Sequence, residues 1–191
     1  FLQRAFRRPP SAEEMTRYLM LFTHARDQGD AFREAFRLPV KTALVSPAFL
    51  FRAESTGGTL AQRVTAWELA SRLSYFLWAS QPDVALSDRA RSGELLREEV
   101  LRAEVKRLLT DERARRFVER FTLQWLRIDG LGTRIKPDVE RFPQATPELL
   151  RAMKKETVLF ADSIMRGNKP VTRLLDADYT FVNTDLARHY G

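Results

Sequence analysis

The chain has 191 residues, no cysteine, two histidines and a formal net charge of +7. The lack of cysteine excludes a disulfide framework, a thiolate metal site, a cysteine nucleophile and a covalently attached c-type haem within the chain, and two histidines disfavour a multi-histidine metal site. Apolar residues make up 44% of the chain and charged residues 30%, which is enough for a folded core but leaves the function open.

The basic excess is spread along the whole chain. Residues 1–60 contain nine basic and six acidic side chains, residues 61–130 contain 13 and 11, and residues 131–191 contain 10 and eight. Proteins that bind nucleic acid concentrate Lys and Arg on one face or stripe. The even distribution therefore disfavours nucleic-acid binding, which we keep as a third functional alternative.

The first predicted element is an amphipathic helix that follows Pro9-Pro10. Ser11-Ala-Glu-Glu14 has the spacing of a capping box, and Gly29 is a typical helix terminator. Between them, apolar residues recur every three or four positions, as one helix face requires. These residues are Met15, Tyr18, Leu19, Phe22 and Ala25.

A second helix is predicted after Asp30, which we expect to cap it. Its inward residues should be Phe32, Ala35 and Phe36. Pro39 is expected to kink or interrupt this helix, because proline lacks the N–H donor and clashes with the preceding turn. Ser46-Pro47 predicts a short new helix, since proline suits the first helical position.

Residues 55–59, Ser-Thr-Gly-Gly-Thr, form the best linker in the chain. They divide it into an N-terminal helical module, residues 1–54, and a larger helical domain, residues 60–191. In the larger domain Thr65-Ala-Trp-Glu68 is a second capping box, which predicts a helix through Trp78. A turn over residues 80–83 then leads to a short helix that ends near Gly93.

The next predicted helix covers residues 98–109, and its buried residues should be Leu101, Val105, Leu108 and Leu109. Asp111 is expected to cap the helix that follows. That helix has the heaviest apolar stripe of the chain, formed by Phe117, Val118, Phe121, Trp125 and Leu126. We interpret this stripe as core, with Trp125 at its centre.

Thr146-Pro147-Glu148 predicts a helix start, with threonine as the cap and proline in the first turn, and this helix should run to about Arg166. Asn183 or Thr184 is expected to cap a last helix. No run of alternating strands occurs along the chain. The predicted fold class is therefore all-α, a multi-helix and bundle-like array.

Several of these segments together resemble a known pair of domains. The motifs that carry the resemblance are Leu44-Val-Ser-Pro47, Glu68-Leu-Ala-Ser-Arg-Leu-Ser-Tyr-Phe-Leu-Trp78, Gln124-Trp-Leu126, Met153-Lys-Lys-Glu-Thr157 and Leu174-Leu-Asp-Ala-Asp-Tyr-Thr-Phe-Val-Asn183. They are similar to two adjacent domains of unknown function from large planctomycete and myxobacterial proteins, which often also carry a cytochrome-c-like haem module. The resemblance covers about residues 1–54 and 60–191.

This resemblance implies a piece of a larger, exported protein with a periplasmic or extracellular location. The implied partners are neighbouring domains of the same polypeptide, and haem would lie in such a neighbour, so we expect no cofactor and no metal in this chain. The chain starts without methionine, which also indicates a fragment. No apolar stretch is long enough to span a bilayer.

The densest polar cluster lies near the C-terminus and contains Asp176, Asp178 and His189. The Asp-x-Asp-x-Thr spacing partly matches a calcium loop, but Phe181 stands where such a loop needs glycine. The simpler interpretation is that Asp176 and Asp178 bond local backbone donors in a turn. Together with Glu156, these three residues are the candidates for acid–base catalysis.

Three functional hypotheses follow from the sequence. The first is a non-catalytic helical module with a structural or interaction role in a larger, haem-associated protein. The second is a redox-linked enzyme module with a pocket near residues 176–189. The third is a basic nucleic-acid-binding domain, and the sequence does not decide whether the chain is an enzyme.

Overall fold

A computed structural model of the chain describes residues 1–52, 54 and 63–191. Helices account for 65% of the structure, and the described residues form no β-strand, which confirms the all-α class. The α-helices are α1 Leu2–Phe6, α2 Ala12–Asp27, α3 Phe32–Ala35, α4 Arg37–Leu44, α5 Pro47–Leu50, α6 Ala66–Trp78, α7 Val84–Ser92, α8 Glu98–Thr110, α9 Arg115–Trp125, α10 Pro147–Met165, α11 Arg173–Asp176 and α12 Thr184–Tyr190. Two short 3₁₀ helices, Glu94–Leu96 and Glu112–Ala114, precede α8 and α9.

Backbone contacts divide the chain into two compact units. The first comprises Phe1–Tyr75 and Ser80–Glu104, and the second comprises Phe76–Ala79 and Val105–Gly191. The predicted linker, residues 55–59, lies outside the described residues. The division into domains 1–54 and 60–191 stays a prediction.

In the first unit, local capping determines where α2 begins. The Ser11 hydroxyl accepts the Glu14 N–H at 3.1 Å, and the Glu14 carboxylate accepts the Ser11 N–H at 2.8 Å, so the predicted capping box is confirmed. Gly29, at φ +92°, follows the helix end as predicted. The buried face of α2 contributes Tyr18, whose ring lies 5.9 Å from that of Phe6 in α1.

The short helices α3 and α4 correct part of the prediction. Asp30 is not a cap, because α3 begins after Ala31, which makes no side-chain capping bond. Ala35 is fully buried, whereas Phe32 and Phe36 are exposed and stack on each other. Pro39 lies in the first turn of α4, where backbone N–H groups have no partner within the helix, so its missing N–H breaks no hydrogen bond. The predicted interruption lies just before Pro39, between α3 and α4.

Capping also defines the start of α6 and of α7. The Glu68 carboxylate accepts the Thr65 N–H at 2.7 Å and the Thr65 hydroxyl accepts the Glu68 N–H at 3.2 Å, which confirms the second capping box. Asp83 caps α7 through the Leu86 N–H at 2.9 Å. Gly93, at φ +75°, ends α7 as predicted, because glycine adopts this left-handed conformation without strain.

The core of the second unit is built around Trp78, which is fully buried. Its indole N–H donates to the Leu108 carbonyl of α8 at 2.9 Å. The Arg113 guanidinium lies 3.4 Å from the centre of the Trp78 ring and is held there by two bonds to Asp111. Asp111 caps the 3₁₀ helix ahead of α9 and not α9 itself, and the predicted core residue Leu109 is exposed.

The interpretation of α9 as a helix with an aromatic core face is wrong. The buried residues of α9 are Val118, as predicted, and Thr122, and they continue a buried stripe from Ala114 at its N-cap. This helix packs against α10. Trp125, expected at the centre of the core, is 57% exposed. Small residues at this spacing let two helices approach closely, which larger rings would prevent.

The helices α10 and α12 complete the second unit. Thr146 caps α10 by accepting the Leu149 N–H at 3.2 Å, and Asn183 caps α12 by accepting the Leu186 N–H at 2.9 Å. Leu186 is buried against Leu149 and Ala152 of α10. The C-terminal segment, which contains three of the four candidate site residues, therefore lies along α10, which contains the fourth.

Candidate functional site

Glu156, on α10, contacts two hydroxyl groups of the C-terminal segment. Its carboxylate accepts from the Thr180 hydroxyl at 2.6 Å and from the Tyr190 hydroxyl at 2.7 Å. The side-chain hydrogen bond to Glu156 raises the pKa of Tyr190 above its ordinary value, and burial acts in the same direction. Both carboxylate oxygens are therefore occupied, and the contact fastens the C-terminal segment to α10.

A second polar cluster lies around Tyr179. Its hydroxyl is 3.0 Å from the Ser163 hydroxyl and accepts from the Lys169 ammonium at 2.8 Å. The bond from Lys169, followed by that from Ser163, lowers the pKa of Tyr179. The ring of Tyr179 also packs against Phe160, with the ring centres 5.7 Å apart. A phenol with a lowered pKa next to an ammonium group can exchange protons, but here it also anchors the segment.

The structure does not join the four predicted catalytic residues into one group. Asp176 is exposed and lies 3.9 Å from Arg173. Asp178 is exposed and makes no hydrogen bond or ion pair with another described residue, so it does not hold a turn as proposed from the sequence. His189 is exposed, and its ring neighbour is Tyr190. Only Glu156 has the bonding partners of a site, and the catalytic roles stay predictions.

The sequence does not predict the two hydroxyl partners of Glu156. Tyr190 follows it by 34 positions and Thr180 by 24, so no local pattern connects them. Within the described ranges, no group of three or more His, Asp or Glu side chains is arranged to hold a metal ion. In the same part of the chain, no helix is both long and apolar enough to cross a membrane.

The most prominent surface feature of the second unit is a row of aromatic rings, which we call the aromatic ladder: Phe76, Phe117, Phe121 and Trp125. Successive ring centres are 4.8, 5.7 and 5.7 Å apart, and the last two rings are stacked at an interplanar angle of 24°. Phe76 is 64% exposed and Phe121 is 43% exposed. The spacing of four between Phe117, Phe121 and Trp125 is visible in the sequence, where their hydrophobicity predicts core and not surface.

The ladder lies directly beside the buried stripe of α9. Phe117 and Phe121 each precede a buried residue of α9 by a single position, so the ladder lies about 100° around the helix from the buried face. Leu126 extends the apolar surface at the end of α9 and is also exposed. Soluble proteins seldom expose contiguous apolar surface of this kind, and where they do it usually marks an interaction site.

Comparison with known families gives two matches along the chain. Residues 64–191 match the profile of PSD4, described as a protein of unknown function (DUF1592). Residues 1–54 match that of PSD5, also described as a protein of unknown function (DUF1595). No curated protein and no solved structure matches the chain.

Proposed function

Because the chain belongs to the PSD4 family of proteins of unknown function (DUF1592), and because its second unit exposes the aromatic ladder, we propose that it is a non-catalytic helical interaction module. The partner that packs on the ladder is another domain of the same, larger polypeptide. The exposed ladder is the observation that carries this proposal, since stacked rings in water are stabilised when a partner covers them.

The apolar surface of the ladder is large enough to hold a neighbouring domain. Covering the exposed parts of Phe76, Phe121 and Trp125 would remove roughly 300 Å² of ring surface from water, taking about 200 Å² for each whole ring. At about 25 cal/mol per Å² this is on the order of 8 kcal/mol before the cost of ordering the partner. A domain on the same chain avoids most of the entropy cost of association, so a contact of this size suffices.

The other two hypotheses have less support. An acid–base site needs several titratable groups gathered in one cleft, and Asp176, Asp178 and His189 are exposed instead. A nucleic-acid interface needs cations that are available for phosphate. Many surface arginines are instead paired with carboxylates, for example Arg102 with Glu98 at 2.7 Å.

The wider setting of the module rests on the family resemblance. On that basis we propose that the module belongs to a large, exported protein of planctomycete or myxobacterial type, in the periplasm or outside the cell. Haem, where such a protein contains it, is held by a neighbouring domain and not by this chain. The partners of the module are therefore domains of its own polypeptide.

Acrylamide quenching of tryptophan fluorescence tests the proposal. The chain alone and the full-length polypeptide are compared, each with a Trp125→Phe variant so that the Trp125 signal is obtained by difference. We expect Trp125 to be readily quenched in the chain alone, because it is exposed, and at least several-fold less in the full-length polypeptide. Equal quenching in both would overturn the proposal.

A pair of variants separates the ladder from general surface effects. Phe121→Ser combined with Trp125→Ser should leave the chain folded but make the full-length polypeptide more sensitive to proteolysis between its domains. The matched control is Val139→Ser, which removes another exposed apolar side chain from the same unit. If the control and the ladder variant have the same sensitivity to proteolysis, the ladder is not a domain contact.

A further inference from the structure

The first unit contains a cleft of about 910 Å³ that has no part in the proposed function. It lies between the end of α1, Phe51, Arg52 and Glu54 after α5, and the first turns of α6. Its charged lining comprises Arg7, Arg8, Arg52, Arg72, Glu54 and Glu68, and its apolar lining includes Phe51 and Trp67. The volume is in the range of sites for small organic ligands.

Two of the four arginines are already neutralised by carboxylates. Arg8 forms a two-pronged pair with Glu14, with N–O distances of 2.7 and 2.8 Å, and this bond lowers the pKa of Glu14 to about 2. Arg72 forms a similar two-pronged pair with Glu54 and lowers the pKa of that carboxyl group. These pairs shape the cleft, but their charges are compensated.

The other two arginines, Arg7 and Arg52, bond only neutral groups. Three bonds of Arg7 run from Nη2 to the carbonyls of residues 48, 49 and 51, at 2.8, 3.1 and 2.9 Å. Arg52 lies over the Tyr75 ring, 4.7 Å from its centre, and Arg7 lies 5.8 Å from the centre of the same ring. Neither forms an ion pair with a described carboxylate, although Arg52 lies close enough to Glu54 to help lower the pKa of that carboxyl group.

The lining of the cleft contains four arginines and two carboxylates, so an excess of positive charge attracts an anion into it. Guanidinium groups bind carboxylate and phosphate oxygens through paired N–H donors. We propose that this cleft binds a small organic oxyanion with an apolar body. Arg7 and Arg52 hold the anionic group, and Trp67 and Phe51 contact the apolar part.

Calorimetric titration of the whole chain with four probes tests the inference. Phenyl phosphate and benzoate carry both an anionic group and a ring, inorganic phosphate has only the charge, and phenol has only the ring. We expect saturable binding of phenyl phosphate or benzoate, with inorganic phosphate and phenol at least about 10-fold weaker, since each lacks one of the two contacts. No saturable binding of either ring-bearing anion, or binding of inorganic phosphate as tight as that of phenyl phosphate, would overturn the inference.

Variants at Arg52 identify the binding group without disturbing the fold, because this side chain is exposed. Arg52→Gln should weaken binding at least about five-fold and Arg52→Lys less, since lysine keeps the charge but not the paired donors. The matched control is Arg91→Gln, which removes an exposed arginine paired with Asp88 outside the cleft lining. An equal loss with the control would show only a general charge effect and would refute the site.

The proposed anion site and the proposed domain contact at the ladder can be tested independently of each other. The Phe121→Ser and Trp125→Ser combination changes the other compact unit, so it should leave the affinity for the probes unchanged. Loss of probe binding in that variant would contradict the assignment of the site to this cleft.

Discussion

Substitution of Trp78 should destabilise the chain far more than substitution of Trp125, although the sequence favours the opposite order. Trp78 is fully buried, and replacement by alanine leaves a cavity that costs about 3–5 kcal/mol of the free energy of unfolding. It also leaves the buried Leu108 carbonyl without its donor, which adds about 1 kcal/mol or more. Trp125 is 57% exposed, so its replacement by alanine should cost less than about 1 kcal/mol.

Urea unfolding followed by circular dichroism measures both substitutions. The expected cost of Trp78→Ala approaches the whole free energy of unfolding of a typical domain, so this variant can fail to fold. Trp78→Phe therefore serves as the second variant. It keeps most of the ring but loses the N–H donor, and we expect a cost of about 1–3 kcal/mol. If Trp125→Ala lowers the free energy of unfolding as much as Trp78→Phe does, the assignment of the two α9 stripes is wrong.

Three further predictions concern the polar contacts. Asn183→Ala should lower the free energy of unfolding by about 1 kcal/mol because it caps α12, whereas Asp178→Ala should change it by less than about 0.5 kcal/mol; equal urea midpoints for the two variants would contradict this. The stabilising contribution of Glu14, whose pKa is lowered from 4.5 to about 2, is complete above its unfolded pKa and is lost as the pH falls through about 2. Acid unfolding of Glu14→Gln should lack that component, and an unchanged acid transition would count against it. Glu156→Gln should return the raised pKa of Tyr190 toward its usual value in an ultraviolet titration, and an unaltered titration would show that the bond is absent in solution.

The beginnings and ends of most helices could be predicted from the sequence. Ser11, Thr65, Thr146 and Asn183 cap helices in the structure, as the sequence predicts. Capping joins residues only two or three positions apart, so a short stretch of sequence contains all of its partners. The all-α class follows from the same local signals together with the helical spacing of apolar residues.

The burial of each helix face could not be predicted in this way. The stripe that runs from Ala114, at the N-cap of α9, through Val118 to Thr122 has the same spacing as Phe117–Phe121–Trp125, and hydrophobicity favours the second. The structure buries the first. Periodicity defines the faces of a helix, but the fit against its neighbour selects the face that packs, and α10 is that neighbour.

Both candidate sites depend on residues that are distant in sequence. Arg7 bonds carbonyls that lie 41 to 44 positions away, and Tyr190 reaches Glu156 across 34 positions. The sequence by itself determined the helices, their caps and an excess of arginine over lysine. Only the tertiary structure decided which arginines meet a carboxylate and which aromatic rings remain exposed, because those contacts arise when separate helices pack together.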